Sequence, residues 1–115
     1  MNNEELDREF KRISEVLSKQ FADGEAIDMQ GILFLIGVQE LGMGFQKFKK
    51  DDKLAVMHIA ICTLLERYGY YEFEGRDEDH WPHFKLNEKL PPLKPAQQHL
   101  LMREAIVEYF KEQGI

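Results

Sequence analysis

The chain has 115 residues, 43% of them hydrophobic, and carries a formal net charge of −6. This length fits one domain that buries about 65% of the surface exposed by its unfolded form, so folding requires neither a metal ion nor a disulfide. The negative charge opposes the counterion release that drives most nucleic-acid binding, which excludes nucleic acid as the expected partner.

Cysteine usage and the N-terminal composition predict a cytoplasmic protein. Cys62 is the single cysteine, so no disulfide within the chain is possible. Residues 2–12 are rich in acidic and amide side chains, where a secretory signal has a basic start followed by an apolar run. The apolar run at residues 32–38 spans only about a third of the roughly 20 residues that a bilayer crossing needs, so we expect no membrane association.

The first of four predicted helices covers about residues 3–22. Asn2 is placed to cap its start, and Glu5 has the spacing of a capping box. Asp23 and Gly24 are expected to end it, because glycine adopts the left-handed conformation common just past a helix. Its apolar residues recur at steps of four and three and share one stripe: Leu6, Phe10, Ile13, Leu17 and Phe21.

The second predicted helix, about residues 28–43, is apolar on every side between Met29 and Leu41. A helix of this kind must be enclosed by other elements, so we expect it to form the core. Gly37 permits close approach of a neighbouring backbone, and tight packing is its expected role; a ligand against Gly37 is the alternative. Glu40 follows Ile36 by one turn, which places this carboxylate on a buried stripe of an ideal helix.

The third and fourth predicted helices cover about residues 52–68 and 95–113. Gly69 ends the third, with Leu65 and Tyr70 at the contacting positions of a Schellman termination. Pro95 suits the first turn of the fourth. The expected core stripe of the third helix is Leu54, Met57, Ile61, Leu64, Leu65 and Tyr68, with His58 on the same face. We expect four residues of the two central helices to be nearly inaccessible to solvent: Leu33, Ile36, Ile61 and Leu65.

Between residues 69 and 94 the helical period disappears. Tyr71 and Phe73 alternate with Glu72 and Glu74, as in a short strand, and prolines follow at positions 82, 91 and 92. Five of the thirteen aromatic residues lie in this segment, a density that disordered segments lack. We interpret residues 69–94 as an irregular ordered strap lying across the helices, with a two-stranded hairpin inside it as the alternative.

Together these elements predict an all-α protein. The expected architecture is an irregular four-helix bundle, a single domain over residues 1–115, with a long aromatic and proline-rich connection between its third and fourth helices.

The strap holds the densest set of reactive side chains. Zinc, iron and manganese accept imidazole and carboxylate ligands, and the candidates here are Asp77, Asp79, His80 and His83. Pro82 prevents the two histidines from sharing a helical face, and no recognised metal-binding pattern is present. We therefore expect no metal and no cofactor.

A metal-dependent or acid/base enzyme is one alternative. It would use His80, His83, Glu40 and His58, since titratable groups on apolar helices often have the shifted pKa values of catalytic sites. Structural networks shift pKa values too, and no catalytic motif names a reaction. We expect Glu40 and His58 to be structural polar groups and assign no catalytic residue.

The leading hypothesis is a protein-interaction or self-associating module, most simply a homodimer. Amphipathic rings bordered by charge are typical of the centre and rim of an interface. The predicted interaction surface is Tyr70, Tyr71, Trp81 and Phe84, with Trp81 as the anchor that packs inward. A third hypothesis is a small-molecule binder with an apolar pocket between the central helices.

Overall fold

The computed structural model describes residues 2–42, 48–87 and 91–115. The helices are α1 (Asn3–Phe21), α2 (Met29–Leu41), α3 (Lys50–Glu66) and α4 (Pro95–Glu112), and two strands, β1 (Tyr71–Arg76) and β2 (Pro82–Leu86), lie between α3 and α4. The chain divides into two compact units: a terminal unit, Met1–Asp28 with Pro91–Ile115, and a central unit, Met29–Leu90. No helix in the described ranges combines the length and the apolar character needed to cross a membrane.

The prediction of an all-α irregular four-helix bundle was wrong. Four helices are present, but β1 and β2 pair as a two-stranded antiparallel sheet. The physical reason is a second alternation, which matches that of β1: Pro82, Phe84 and Leu86 alternate with His83 and Lys85. The hairpin raised as an alternative is therefore part of the fold. Met43, the expected end of the second helix, and residues 88–90 of the strap lie outside the described residues, and the single domain stays a prediction.

The terminal unit pairs α1 with α4 through apolar side chains and one ionic contact. Arg103 of α4 lies over the ring of Phe10, 5.1 Å from its centroid, and forms an ion pair with Asp7. Phe21, the last residue of the predicted α1 stripe, is exposed. The buried apolar residues of the unit are Leu6, Ile13, Leu17, Ala105, Ile106, Val107, Tyr109 and Phe110.

A side-chain cap begins α1, and two left-handed residues end it. The Asn2 Oδ1 accepts the backbone N–H of Glu5 at 2.8 Å, and the Asn2 Nδ2 donates to the Glu5 carboxylate at 3.3 Å. Asp23 and Gly24, with φ of 52° and 88°, both adopt the left-handed conformation after the helix. The predicted start and stop signals are thus present. The Glu5 carboxylate accepts its hydrogen bond from the side chain of Asn2.

The core of the central unit is the contact between α2 and α3. A Cβ atom on Gly37 would lie 2.1 Å from the backbone oxygen of Val56, so only glycine fits at this crossing. This confirms tight packing as the role of Gly37. A cluster of Val38, Leu41, Val56 and Ile59 is buried there, and it is flanked by Phe34, Phe48, Trp81 and Phe84.

The buried face of α3 differs from the predicted stripe. Leu54 is 63% exposed, His58 is exposed and Ile61 is half-buried, whereas Leu33, Ile36 and Leu65 are buried as expected. Because Val56 is held against Gly37, residues two positions away lie about 200° around the helix, which turns Leu54 and His58 outward. The helix carries apolar residues on two sides, and its composition does not decide which side docks.

A Schellman termination ends α3, as the sequence predicts. The N–H of Tyr70 donates to the Leu65 carbonyl at 3.2 Å, and the N–H of Gly69 donates to the Glu66 carbonyl at 2.9 Å. Gly69 has a φ of 83°, which glycine adopts without steric cost. This turn directs the chain from α3 into β1.

Candidate interaction site

The hairpin places aromatic and apolar side chains together on one face. The register pairs Tyr71 with Leu86 and Phe73 with Phe84, and a bulge follows between Phe73 and Gly75. Because side chains alternate across a strand, these four residues share one face. The rings of Phe73 and Phe84 lie 5.7 Å apart, a contact typical of cross-strand aromatic pairs.

The carboxylate of Asp77 organises the turn between the strands. Its Oδ1 accepts the backbone N–H groups of Asp79 at 2.9 Å and Trp81 at 3.0 Å, and its Oδ2 lies 2.8 Å from the Nε2 of His83. The hydrogen bond with His83, followed by the Trp81 amide, lowers the pKa of Asp77 below its ordinary value. His80 adopts a φ of 67°, so the turn includes a left-handed residue other than glycine.

Arg76 joins the hairpin to the end of α2. Its guanidinium donates to the carbonyls of Glu40 at 2.7 Å, Leu41 at 3.0 Å and His80 at 2.8 Å. The last carbonyls of a helix have no partner within the helix, and here a side chain satisfies two of them. The hairpin is thus held against the central unit by a charged group as well as by ring packing.

Two large apolar side chains of the hairpin remain open to solvent. Phe73 and Leu86 are each 48% exposed, whereas Pro82 on the same face is buried. The backbone N–H of Phe73 donates to the Glu66 carboxylate at 2.9 Å, so the position of Phe73 is fixed from α3. An apolar surface held in place and bordered by charge is typical of a contact site.

A groove of about 610 Å³ lies between α3 and the hairpin. We call it the α3–β2 groove. From α3 it is lined by Asp52, Ala55, His58 and Ile59, and from the turn and β2 by Asp77, Asp79, Trp81, Pro82, His83 and Phe84. It combines an apolar floor with three carboxylates and two imidazoles, which suits the recognition of a polar or cationic group more than that of a purely apolar ligand.

A second cavity, of about 350 Å³, lies on the β1 side of the hairpin. Its lining consists of Glu40, Thr63, Glu66, Phe73, Arg76, Pro82 and Phe84. It is smaller than the α3–β2 groove and is bordered by the Arg76 and Glu66 contacts that hold the hairpin.

The predicted interaction residues lie in this region, though none of them is fully exposed. Tyr70, Tyr71, Trp81 and Phe84 are half-buried, with Trp81 and Phe84 packed against the α2–α3 cluster. The Tyr71 ring lies edge-on to that of His58, with centroids 6.3 Å apart. The predicted interaction surface did not include Phe73 and Leu86. The alternation of apolar and polar residues along β2 is the sequence signal that places Leu86 on the same face as Phe84. As an interaction surface the predicted set stays a prediction.

The four candidate catalytic residues are not brought together in either of these two described cavities. His58 and His83 line the α3–β2 groove and Glu40 lines the smaller cavity, while His80 is absent from the lining of both. In the described part of the chain, no group of three or more histidine, cysteine, aspartate or glutamate side chains is arranged to hold a metal ion. Of the candidate metal ligands, Asp77 and His83 contact each other.

Cys62 is buried and lies 3.4 Å from the Nε2 of His58. Burial raises the pKa of its thiol to about 11. A thiol with this pKa is protonated at neutral pH and is a poor nucleophile. Cys62 therefore acts as a small core residue.

The chain matches no protein-family model, no curated protein and no solved structure.

Proposed function

We propose that the protein is an interaction module that binds another protein, or a second copy of itself, through the hairpin. The observation that carries this proposal is the pair of half-exposed side chains Phe73 and Leu86 on a hairpin whose backbone is fixed by Arg76 and Glu66. Fixed apolar side chains need little ordering on binding, which reduces the entropy lost on association.

The surroundings of this pair also support a protein partner. Tyr70 and Tyr71 lie beside it half-buried, and glutamates 72 and 74 border it exposed. Interfaces combine an apolar, aromatic centre with a polar rim. The net charge of −6 favours a protein over nucleic acid or an anionic membrane surface.

The other two hypotheses have less support in the geometry. The candidate catalytic residues are divided between two cavities, which does not favour an acid/base enzyme. Val56 occupies the space against Gly37, so a small molecule has no room at that point between α2 and α3. A cytoplasmic location belongs to the same proposal, supported by the single free and buried cysteine.

Sedimentation equilibrium over a range of concentrations tests the self-association form of the proposal. Phe73→Asp is compared with Phe21→Asp in the terminal unit, because the two rings are equally exposed at 48% and 50%. If the partner is a second copy, the wild type dimerises, Phe73→Asp weakens the dimer, and Phe21→Asp does not. A dimer that responds only to Phe21→Asp contradicts the assignment to the hairpin. A strict monomer leaves a different protein as the proposed partner.

A further inference from the structure

The hydrogen bonds of the hairpin determine which backbone groups point away from it. The N–H of Asn87 donates to the carbonyl of Tyr70 at 3.0 Å, so this pair is bonded across the hairpin. Bonded and non-bonded pairs alternate along an antiparallel ladder. The backbone groups of the Phe73 and Phe84 pair therefore point outward, and the bond from the Phe73 N–H to Glu66 agrees with this.

The two outer edges of the hairpin differ. The edge of β1 is covered at Phe73 by the Glu66 carboxylate. By the same alternation the N–H groups of Phe84 and Leu86 on β2 also point outward, and among the described residues no side chain or loop backbone group accepts them. Within the described part of the central unit, β2 thus presents an open edge, which is a template for pairing with another extended chain.

The α3–β2 groove lies alongside this open edge. Its lining includes Pro82, His83 and Phe84 of β2 and, within the described residues, none from β1. Its opposite wall is the outward side of α3, with His58 and Ala55. The volume of about 610 Å³ falls within the roughly 300–1,000 Å³ of ligand-binding clefts. A strand edge facing a helix across a groove is suited to an extended peptide.

We propose that an extended, basic segment of a partner protein enters the α3–β2 groove and pairs with the outer edge of β2 as a third strand. This inference rests on the proposed function and specifies the chemistry of its partner. In strand addition, main-chain hydrogen bonds supply affinity and alternate side chains supply specificity. At about 3.3 Å per residue, the five residues of β2 match about five residues of the segment.

The charges around the groove select the chemistry of the segment. Asp52 of α3 and Asp77 and Asp79 of the turn line it, and Trp81 adds an aromatic ring. Carboxylates attract lysine and arginine side chains, and an indole face also attracts cations. The net charge of −6 acts in the same direction at longer range.

A second copy of β2 is a poorer occupant of the edge. In a two-fold pairing centred on Lys85, this residue lies opposite its own copy, and directly opposed like charges destabilise a sheet. In a pairing centred on Phe84, Leu86 lies opposite Pro82, which has no N–H to donate. Proline and lysine are also the residues with which natural edge strands limit self-pairing.

A random library of twelve-residue peptides displayed on phage, selected on the wild-type protein, provides the probes. The tightest peptide is resynthesised in its natural form and with N-methyl groups on alternate backbone nitrogens, in both registers. Affinity is measured by fluorescence anisotropy at low salt, and hydrogen exchange of the Phe84 and Leu86 amides reports the docking position. The variant Asp52→Asn/Asp79→Asn is compared with Glu15→Gln/Glu104→Gln, which removes the same charge from exposed positions of the terminal unit.

The inference predicts selected peptides with lysine or arginine at alternate positions. The Asp52→Asn/Asp79→Asn variant weakens their binding about tenfold, and the Glu15→Gln/Glu104→Gln control changes it less than about twofold. One N-methyl register abolishes binding, and exchange of the Phe84 and Leu86 amides slows when the natural peptide is bound. Failure to select a peptide, or peptides indifferent to both charge and N-methylation, overturns the inference. If the peptides bind at the exposed Phe73 side chain and not at the β2 edge, the strand-addition inference is wrong, but the proposed function still stands.

Discussion

Gly37 shows how one residue determines the packing of two helices. A Cβ atom at this position would meet the backbone oxygen of Val56 at 2.1 Å, and a backbone atom cannot move without shifting α3. The glycine content of α2 predicts close packing, but the residue that Gly37 faces is not deducible from sequence, because α3 carries apolar residues on two sides. This is also why Leu54 was predicted to be buried and is exposed.

Replacing Gly37 with alanine is expected to lower the free energy of unfolding by at least about 2 kcal/mol, since overpacking exceeds the gain in helix propensity of roughly 1 kcal/mol. Urea denaturation measures the change. Val56→Ala is the partner in a double-mutant cycle. Alanine removes the Val56 Cγ1 that would lie 2.6 Å from the new Cβ but keeps the backbone oxygen, so partial relief, with a coupling of about 0.5–1 kcal/mol, is expected. A Gly37→Ala protein as stable as the wild type contradicts the packing described.

The Asp77 carboxylate makes the stability of the hairpin turn depend on pH. Its pKa is lower in the folded chain than in the unfolded chain, chiefly because of the His83 hydrogen bond. The stabilisation is therefore present at pH above the unfolded pKa and is lost as the pH falls through the folded pKa. The sequence identifies Asp77 as a candidate metal ligand. Its hydrogen-bond partners, however, depend on the left-handed conformation of His80, which no local sequence pattern indicates.

We expect His83→Ala to raise the pKa of Asp77 towards its ordinary value, as measured by NMR titration of the side-chain carboxyl carbon. Asp77→Asn is the control, because an amide oxygen still accepts the N–H groups of Asp79 and Trp81 but does not titrate. An Asp77 pKa unchanged by His83→Ala would show that the imidazole does not stabilise the carboxylate.

At the scale of elements, the four helices were more predictable from the sequence than the segment that connects α3 to α4. Helical periodicity is local, so all four helices were found, and the cap at Asn2 and the termination at Gly69 follow from short-range signals. The pairing of β1 with β2 depends on two alternations separated by a turn without the usual Asn-Gly or Asp-Gly signal. The contact of Arg76 with the end of α2 joins residues 35 positions apart, and no local pattern predicts it.

Arg76 is expected to determine whether the hairpin stays docked. A lysine ammonium cannot reproduce the fork that reaches Glu40, Leu41 and His80 together, so Arg76→Lys should cost about 1–3 kcal/mol and speed hydrogen exchange in β1 and β2. Arg8→Lys is the matched control, because Arg8 is exposed on α1, where charged side chains contribute little to stability. Equal effects of the two substitutions, or none from Arg76→Lys, would show that Arg76 does not hold the hairpin.

For the whole molecule, the sequence indicates an acidic protein whose aromatic residues are concentrated in one segment. This concentration supports the proposal of an interaction module. It does not indicate which rings face outward, because that depends on the face of the hairpin that docks on α3. On the described hairpin, the half-exposed apolar residues are Phe73 and Leu86, next to the predicted set of Tyr70, Tyr71, Trp81 and Phe84.

Photo-crosslinking in the cells that naturally contain the protein tests the central claim most directly. The photoreactive residue benzoylphenylalanine replaces Phe73 in one protein and the equally exposed Phe21 in another. We predict a discrete covalent adduct, with a partner protein or a second copy, from position 73, and none from position 21. An adduct formed equally at both positions, or only at position 21, contradicts a binding surface on the hairpin.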